Sequence, residues 1–250
     1  MLTLSNENRK IEVMLDNHHA HLKQETVEKL FGEGYVLPVK KDIGGGEYIS
    51  TETIDVEGPR GVLKGIRVMG PHRPFDQVEL LVSDTVKLGV TPPVVESGHL
   101  ENACELKLIG PAGSVTLNCG IVAGRHVHIC TKLLAELGLK NKQMVSVTSG
   151  GIRSVTFHNV IVRENAVSDV NVIHMDFEEG NAAGLSYLTQ RRTVKLDTQP
   201  VSVNFVRLET LLSKDNCCFS EVASLRIFTV VVHIYFPSVV DKIKKRPSSY

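Results

Sequence analysis

Leu106-Lys107-Leu108-Ile109-Gly110-Pro111-Ala112-Gly113-Ser114-Val115-Thr116-Leu117 reads as a β-hairpin. Apolar and polar residues alternate on both sides of a Gly-Pro-x-Gly turn, and alternation with a period of two is the pattern of a half-buried strand. The same punctuation recurs at Gly58-Pro59-Arg60-Gly61, between an alternating run at 53–57 and a looser one at 62–68. Further short strands are predicted at 144–148, 154–157 and 159–162. Short, evenly spaced strands predict a barrel or sandwich rather than a parallel α/β sheet.

A strand–helix–glycine unit appears three times. One copy runs from His19 and His21 through 24–31 to Gly32, and a second from Glu79 through 83–88 to Gly89. The third runs from His126 and His128 through 131–137 to Gly138. Ser83 and Thr131 are the expected N-caps, and each glycine suits the position just past a helix end. The predicted fold is therefore mainly β with short helices.

Two His-x-His pairs, His19-Ala20-His21 and His126-Val127-His128, open the first and third units. In a strand, residues i and i+2 share a face, so each pair presents two imidazoles to one point. Ten His in 250 residues would give roughly 0.4 such pairs by chance. Neutral imidazole is a common metal ligand, so the pairs point to a zinc site, with satisfied surface or core histidines as the alternative. Their equivalent positions, 19 and 126, suggest an internal duplication. Glu79 adds a carboxylate ligand type, Arg73 a cation suited to phosphate, and His174 a third imidazole in a strand-like run.

Bulk composition narrows the partners. The chain carries 28 basic and 28 acidic residues, 42% hydrophobic and 22% charged, as in an ordinary globular protein and without the basic excess of a nucleic-acid binder. Its five cysteines make no Cys-x-x-Cys motif, which favours free thiols in a reducing compartment. The first ten residues lack the apolar core of a secretory signal. The apolar run at 227–240 is broken by Pro237 and too short to span a membrane. It reads as an added strand or partner surface.

Longer motifs bring a family resemblance. Asp16-Asn17-His18-His19-Ala20-His21-Leu22 resembles the N-R-H-V-H-L motif of the phosphate propanoyltransferases of the PduL type. Gly70-Pro71-His72-Arg73 with Gln77-Val78-Glu79 resembles their G-P-x-R and Q-V-E segments. Ala123-Gly124-Arg125-His126-Val127-His128 and His174-Met175-Asp176 with Asn181-Ala182-Ala183-Gly184 complete the series in order.

The resemblance implies two interlocked β-barrels, one from 1–22 with 125–190 and one from 23–124, followed by an extension at 191–250. It implies two Zn2+ per chain, one held by His19, His21 and Glu79 and the other by His126, His128 and His174. Arg73 would bind phosphate. Coenzyme A would contact Leu15, Asp16, Asn17, Arg60, Arg67 and Asn181. His18 stands where the family has Arg, and Arg60 where it typically has Lys.

The implied reaction interconverts short-chain acyl-CoA (propanoyl-CoA or acetyl-CoA) plus phosphate with acyl phosphate plus CoA, by zinc-assisted direct attack of phosphate on the thioester. A route through a Cys130 thiolate is the rival, and the apolar neighbours of Cys130 argue against it. A zinc thioesterase or other hydrolase and a non-catalytic zinc-stabilised barrel are the competing functions. The expected location is cytoplasmic. The resemblance also brings propanediol degradation, residence in a bacterial microcompartment, and homo-oligomer or shell association as expectations.

Overall fold

The computed structural model describes residues 10–185 and 193–197. The apolar run at 227–240 lies outside the described residues. Two β-sheets carry the fold. The first is a closed barrel in the order β1 (Lys10–Asp16), β13 (Val172–Asp176), β10 (His126–Cys130), β12 (Thr156–Asn165), β11 (Met144–Ser149), β14 (Thr193–Asp197). The second is an eight-stranded sheet. Its main path is β3 (Val39–Gly44), β4 (Glu47–Gly58), β5 (Gly61–Gly70), β2 (His19–His21), β6 (Gln77–Glu79), β9 (Ser114–Ala123), β7 (Val94–Val95). Strand β8 (Cys104–Ile109) pairs with both β4 and β9, so the hydrogen-bonded path returns to β4.

Each sheet packs against its own hydrophobic core. Val127 and Ile129 of β10 are fully buried with Val145, Val147, Val160, Val162 and Ile173. Ala20 and Leu22 are buried with Ile54, Val56, Ile66, Val68, Leu106 and Leu108. Each large aliphatic residue so placed contributes about 1.5–3 kcal/mol of transfer free energy. The two-residue period then fixes the rest: with Val127 and Ile129 inward, His126 and His128 must face outward.

Helices α1 (Gln24–Phe31), α2 (Val82–Leu88) and α3 (Thr131–Leu137) end at Gly32, Gly89 and Gly138 as expected. Gly89 and Gly138 adopt the left-handed conformation that favours glycine. A fourth helix, α4 (Phe177–Ala182), follows β13, and the Asp176 side chain caps it by accepting from the Glu179 N–H at 2.7 Å. The N-caps differ from expectation. They are Leu81 and Cys130, so Ser83 and Thr131 already lie inside the first turn.

The two Gly-Pro-x-Gly hairpin turns also close helix ends. The Ala112 N–H donates to the Leu30 carbonyl at the end of α1, and the Arg60 N–H to the Leu88 carbonyl at the end of α2, both at 2.9 Å. These carbonyls have no partner within their own helices. A Cβ on Gly110 would stand 2.4 Å from the Leu30 oxygen, and one on Gly58 would stand 2.6 Å from the Leu88 oxygen. Only glycine lets each turn approach so closely.

Three expected boundaries move. Strand β2 pairs with β5 and β6 of the second sheet, so the chain leaves the barrel between β1 and β2 rather than after residue 22. Strand β14 closes the barrel from beyond residue 190. The runs at 154–157 and 159–162 overlap one continuous strand, β12, which begins at Thr156 and carries Asn159 at a φ of 58°.

Candidate metal centre and active site

Strand register brings the predicted ligands together. In the antiparallel β2–β6 pair His19 lies directly opposite Glu79, and in the β10–β13 pair His126 lies directly opposite His174. His21 and His128 join them from two residues further along the same face. The result is two three-residue groups, His19–His21–Glu79 and His126–His128–His174, each with its potential ligand atoms within 4.8 Å of one another. The topology around them repeats as well: β2 runs parallel to β5 as β10 runs parallel to β12.

Backbone and carboxylate acceptors aim the rings. His19 Nδ1 lies 2.8 Å from the Asn17 carbonyl, His126 Nδ1 3.1 Å from the Gly124 carbonyl, and His174 Nδ1 2.9 Å from Asp16 Oδ2. Each acceptor requires an Nδ1–H in a neutral ring, which leaves the Nε2 lone pair facing the group. Gln77, fully buried, does the same for the carboxylate. Its Nε2 donates to Glu79 Oε1 and Ser97 Oγ, and its Oε1 accepts from the Gly98 N–H, all at 2.7 Å. The other oxygen, Glu79 Oε2, is left 3.6 Å from His19 Nε2.

Electrostatics keeps His21, His126 and His128 neutral. Burial, reinforced by His19 and Arg73, lowers the pKa of His21 to about 3. Burial and the Arg163 guanidinium lower His126 to about 3, and burial with His174 lowers His128 to about 4. Neutral imidazoles offer lone pairs at ordinary pH. Among the described residues His21 Nδ1 is buried without a hydrogen-bond partner. An orphaned acceptor beside a carboxylate and a second imidazole is the donor set of a three-protein-ligand zinc site, so the residues fit that metal.

Both groups line one cavity of about 640 Å³, within the usual range for a small-molecule site. Ile49, Met69, Phe75 and Phe177 supply apolar wall, and Leu15, Asp16, Asn17, Arg67 and Arg73 also border it. Arg73 is held by its own N–H to the Leu22 carbonyl at 3.0 Å, while its guanidinium pairs with Glu47. Arg60 and Asn181 do not line the cavity. The Arg60 side chain instead covers Gly89 at the end of α2. Cys130 is buried and also outside the cavity wall. His18 belongs to neither ligand group; its Nδ1 is engaged by Asp84 Oδ2 at 2.8 Å.

Comparison with known proteins agrees with this geometry. The family model of phosphate propanoyltransferases matches residues 12–186. The chain belongs to the phosphate propanoyltransferase family. Family members are transferases, and this chain is an enzyme of that class. It is 41% identical over 175 residues to the phosphate propanoyltransferase of Rhodopseudomonas palustris strain BisB18, covering 69% of this chain and 77% of that protein. It is 40% identical over 179 residues to the phosphate propanoyltransferase of Thermotoga maritima, covering 70% and 85%. It is 38% identical over 189 residues to that of Clostridioides difficile strain 630, covering 74% and 89%.

Two features of the cavity were not legible in the sequence. Gln77 is part of a quoted motif, yet nothing in its spacing revealed that it holds one oxygen of Glu79. Arg163 lines the cavity from β12, where Val162-Arg163-Glu164 looks like any solvated alternation. Among the described residues no helix is long and apolar enough to cross a membrane.

Proposed function

We propose that the chain interconverts a short-chain acyl-CoA and inorganic phosphate with acyl phosphate and free CoA, in a cavity built to hold two zinc ions. The observation that carries this reading is the meeting of two three-ligand groups and an arginine on one cavity wall. Three protein ligands per metal leave a coordination position for substrate, as catalytic rather than structural zinc requires. Bound zinc would supply Lewis-acid polarisation of the thioester carbonyl and of the phosphate.

The chain's own residues do the rest. His19, His126 and His174 are aimed by their Nδ1 partners, and Gln77 fixes the Glu79 carboxylate. Arg73 holds phosphate, which displaces Glu47 from its guanidinium. A phosphate oxygen then attacks the thioester carbonyl, the C–S bond breaks, and the CoA sulfur leaves as thiolate. Wall residues such as Phe75 and Phe177 exclude water, so that phosphate rather than hydroxide is the acceptor. Leu15, Asp16, Asn17 and Arg67 border the space offered to the CoA end nearest the reaction. Arg60 and Asn181 remain assigned to CoA by resemblance alone.

The acyl group is propanoyl or acetyl; the two differ by one methylene, which is worth only about 1–3 kcal/mol of discrimination. We also read the ring β4–β5–β2–β6–β9–β8 as the second barrel of a duplicated pair, supported by its returning hydrogen-bonded path. The test is CoA release from propanoyl-CoA and acetyl-CoA with and without inorganic phosphate, with acyl phosphate trapped as its hydroxamate. Phosphate-dependent release with hydroxamate supports the proposal. Release that ignores phosphate replaces it with a zinc thioesterase.

A further inference from the structure

We propose that Arg163 is a second anion-binding guanidinium of this cavity, holding inorganic phosphate and then acyl phosphate against the His126–His128–His174 group. The inference deepens the acyl-transfer reading and rests on it for the identity of the anion. Parallel pairing of β10 with β12 places Arg163 directly beside His128. Arg163 lines the same cavity as both ligand groups, and only 22% of its side chain is exposed. Its nearest carboxylate is Glu96, at 3.9 Å, and that carboxylate is already hydrogen-bonded to Lys142. The Arg163 guanidinium donates no hydrogen bond to any described residue. Arg73, by contrast, is occupied by Glu47.

A mostly buried guanidinium with unmet donors is costly unless an anion completes it. Its planar fork matches the oxygens of a phosphate. The duplication does not supply a counterpart, because the residue beside His21 at the matching register is Met69. The cavity is therefore asymmetric in charge. Arg67, paired with His19, and Arg73 stand by the first ligand group and Arg163 alone by the second, which suits a dianion held between cations on both sides.

The decisive experiment is calorimetric binding of inorganic phosphate to the zinc-loaded full chain without acyl-CoA, for wild type, Arg163→Gln and Arg163→Lys. Loss of a charge-assisted contact predicts roughly 10–100-fold weaker phosphate binding in Arg163→Gln, with partial recovery in Arg163→Lys. Zinc content and the KM for acyl-CoA stay at wild-type values while the KM for phosphate rises. Unchanged phosphate affinity in Arg163→Gln overturns the proposal. So does a loss of zinc that accounts for the weaker binding, since Arg163 would then support the ligands and not the anion. A wild-type chain that binds phosphate but shows no turnover would refute acyl transfer and leave the role of Arg163 to be decided by the binding data alone.

Discussion

Gly110→Ala should destabilise the chain by about 1–3 kcal/mol, and the reason lies in a contact between a hairpin turn and a distant helix. The new Cβ would stand 2.4 Å from the Leu30 oxygen, 2.7 Å from Leu30 Cβ and 2.9 Å from the Leu30 carbonyl carbon. Two of these are backbone atoms and cannot swing aside. Relief by shifting the turn stretches the 2.9 Å bond from the Ala112 N–H to the Leu30 oxygen, worth about 1 kcal/mol, while overpacking costs about 1–3 kcal/mol. Gly110 is not at positive φ, so alanine returns about 0.4–1 kcal/mol through the unfolded chain. At roughly 2–4 °C per kcal/mol for a chain of this size, the melting temperature should fall by about 3–10 °C. Gly58→Ala, which meets the Leu88 oxygen in the same way, should behave alike. Gly150→Ala is the control: it has no neighbour within 4 Å and should be neutral or slightly stabilising. Urea and thermal melts followed by circular dichroism read all three. If Gly110→Ala melts with wild type, or Gly150→Ala falls equally, the capping role of these turns is wrong.

The other predictions concern the cavity. His126→Ala should lower bound zinc from two toward one per chain by elemental analysis, with the barrel still folded; full occupancy would remove His126 from the ligand set. Arg73→Ala should cost on the order of 2–4 kcal/mol in catalytic efficiency toward phosphate, and unchanged efficiency would show that another group holds the anion. Gln77→Leu frees Glu79 Oε1 and should weaken zinc affinity at the first group by about 10–100-fold, the usual effect of removing a ligand's hydrogen-bond partner. A zinc affinity equal to wild type in a competition titration would refute that role.

What the sequence reveals of the fold and the site depends on the range of each contact. His19, His21, His126 and His128 were legible because a strand's two-residue period puts each pair on one face whatever the fold around it. The Gly-Pro-x-Gly hairpins were legible as turns. Their second role was not, because Leu30 and Gly110 are brought together only by tertiary packing. Ser83 and Thr131 misled as N-caps: their hydroxyls suit that position, but the helices begin one or two residues earlier. The exit from the barrel between β1 and β2 was hidden because only Asn17 and His18 separate two strands of similar character. Arg163 carried no local signal, since parallel pairing, a long-range event, is what sets it beside His128. His18 shows the converse. It adjoins His19 in the chain, yet its Nδ1 pairs with Asp84, 66 positions away.

The central claim is that two metal groups on one cavity make this chain a phosphate acyltransferase. Its most direct test is to strip the purified chain of metal and titrate zinc back while following phosphate-dependent CoA release from propanoyl-CoA. The account predicts negligible turnover without metal and a rise that reaches its plateau at two zinc ions per chain. Full phosphate-dependent turnover in the metal-free chain would contradict it.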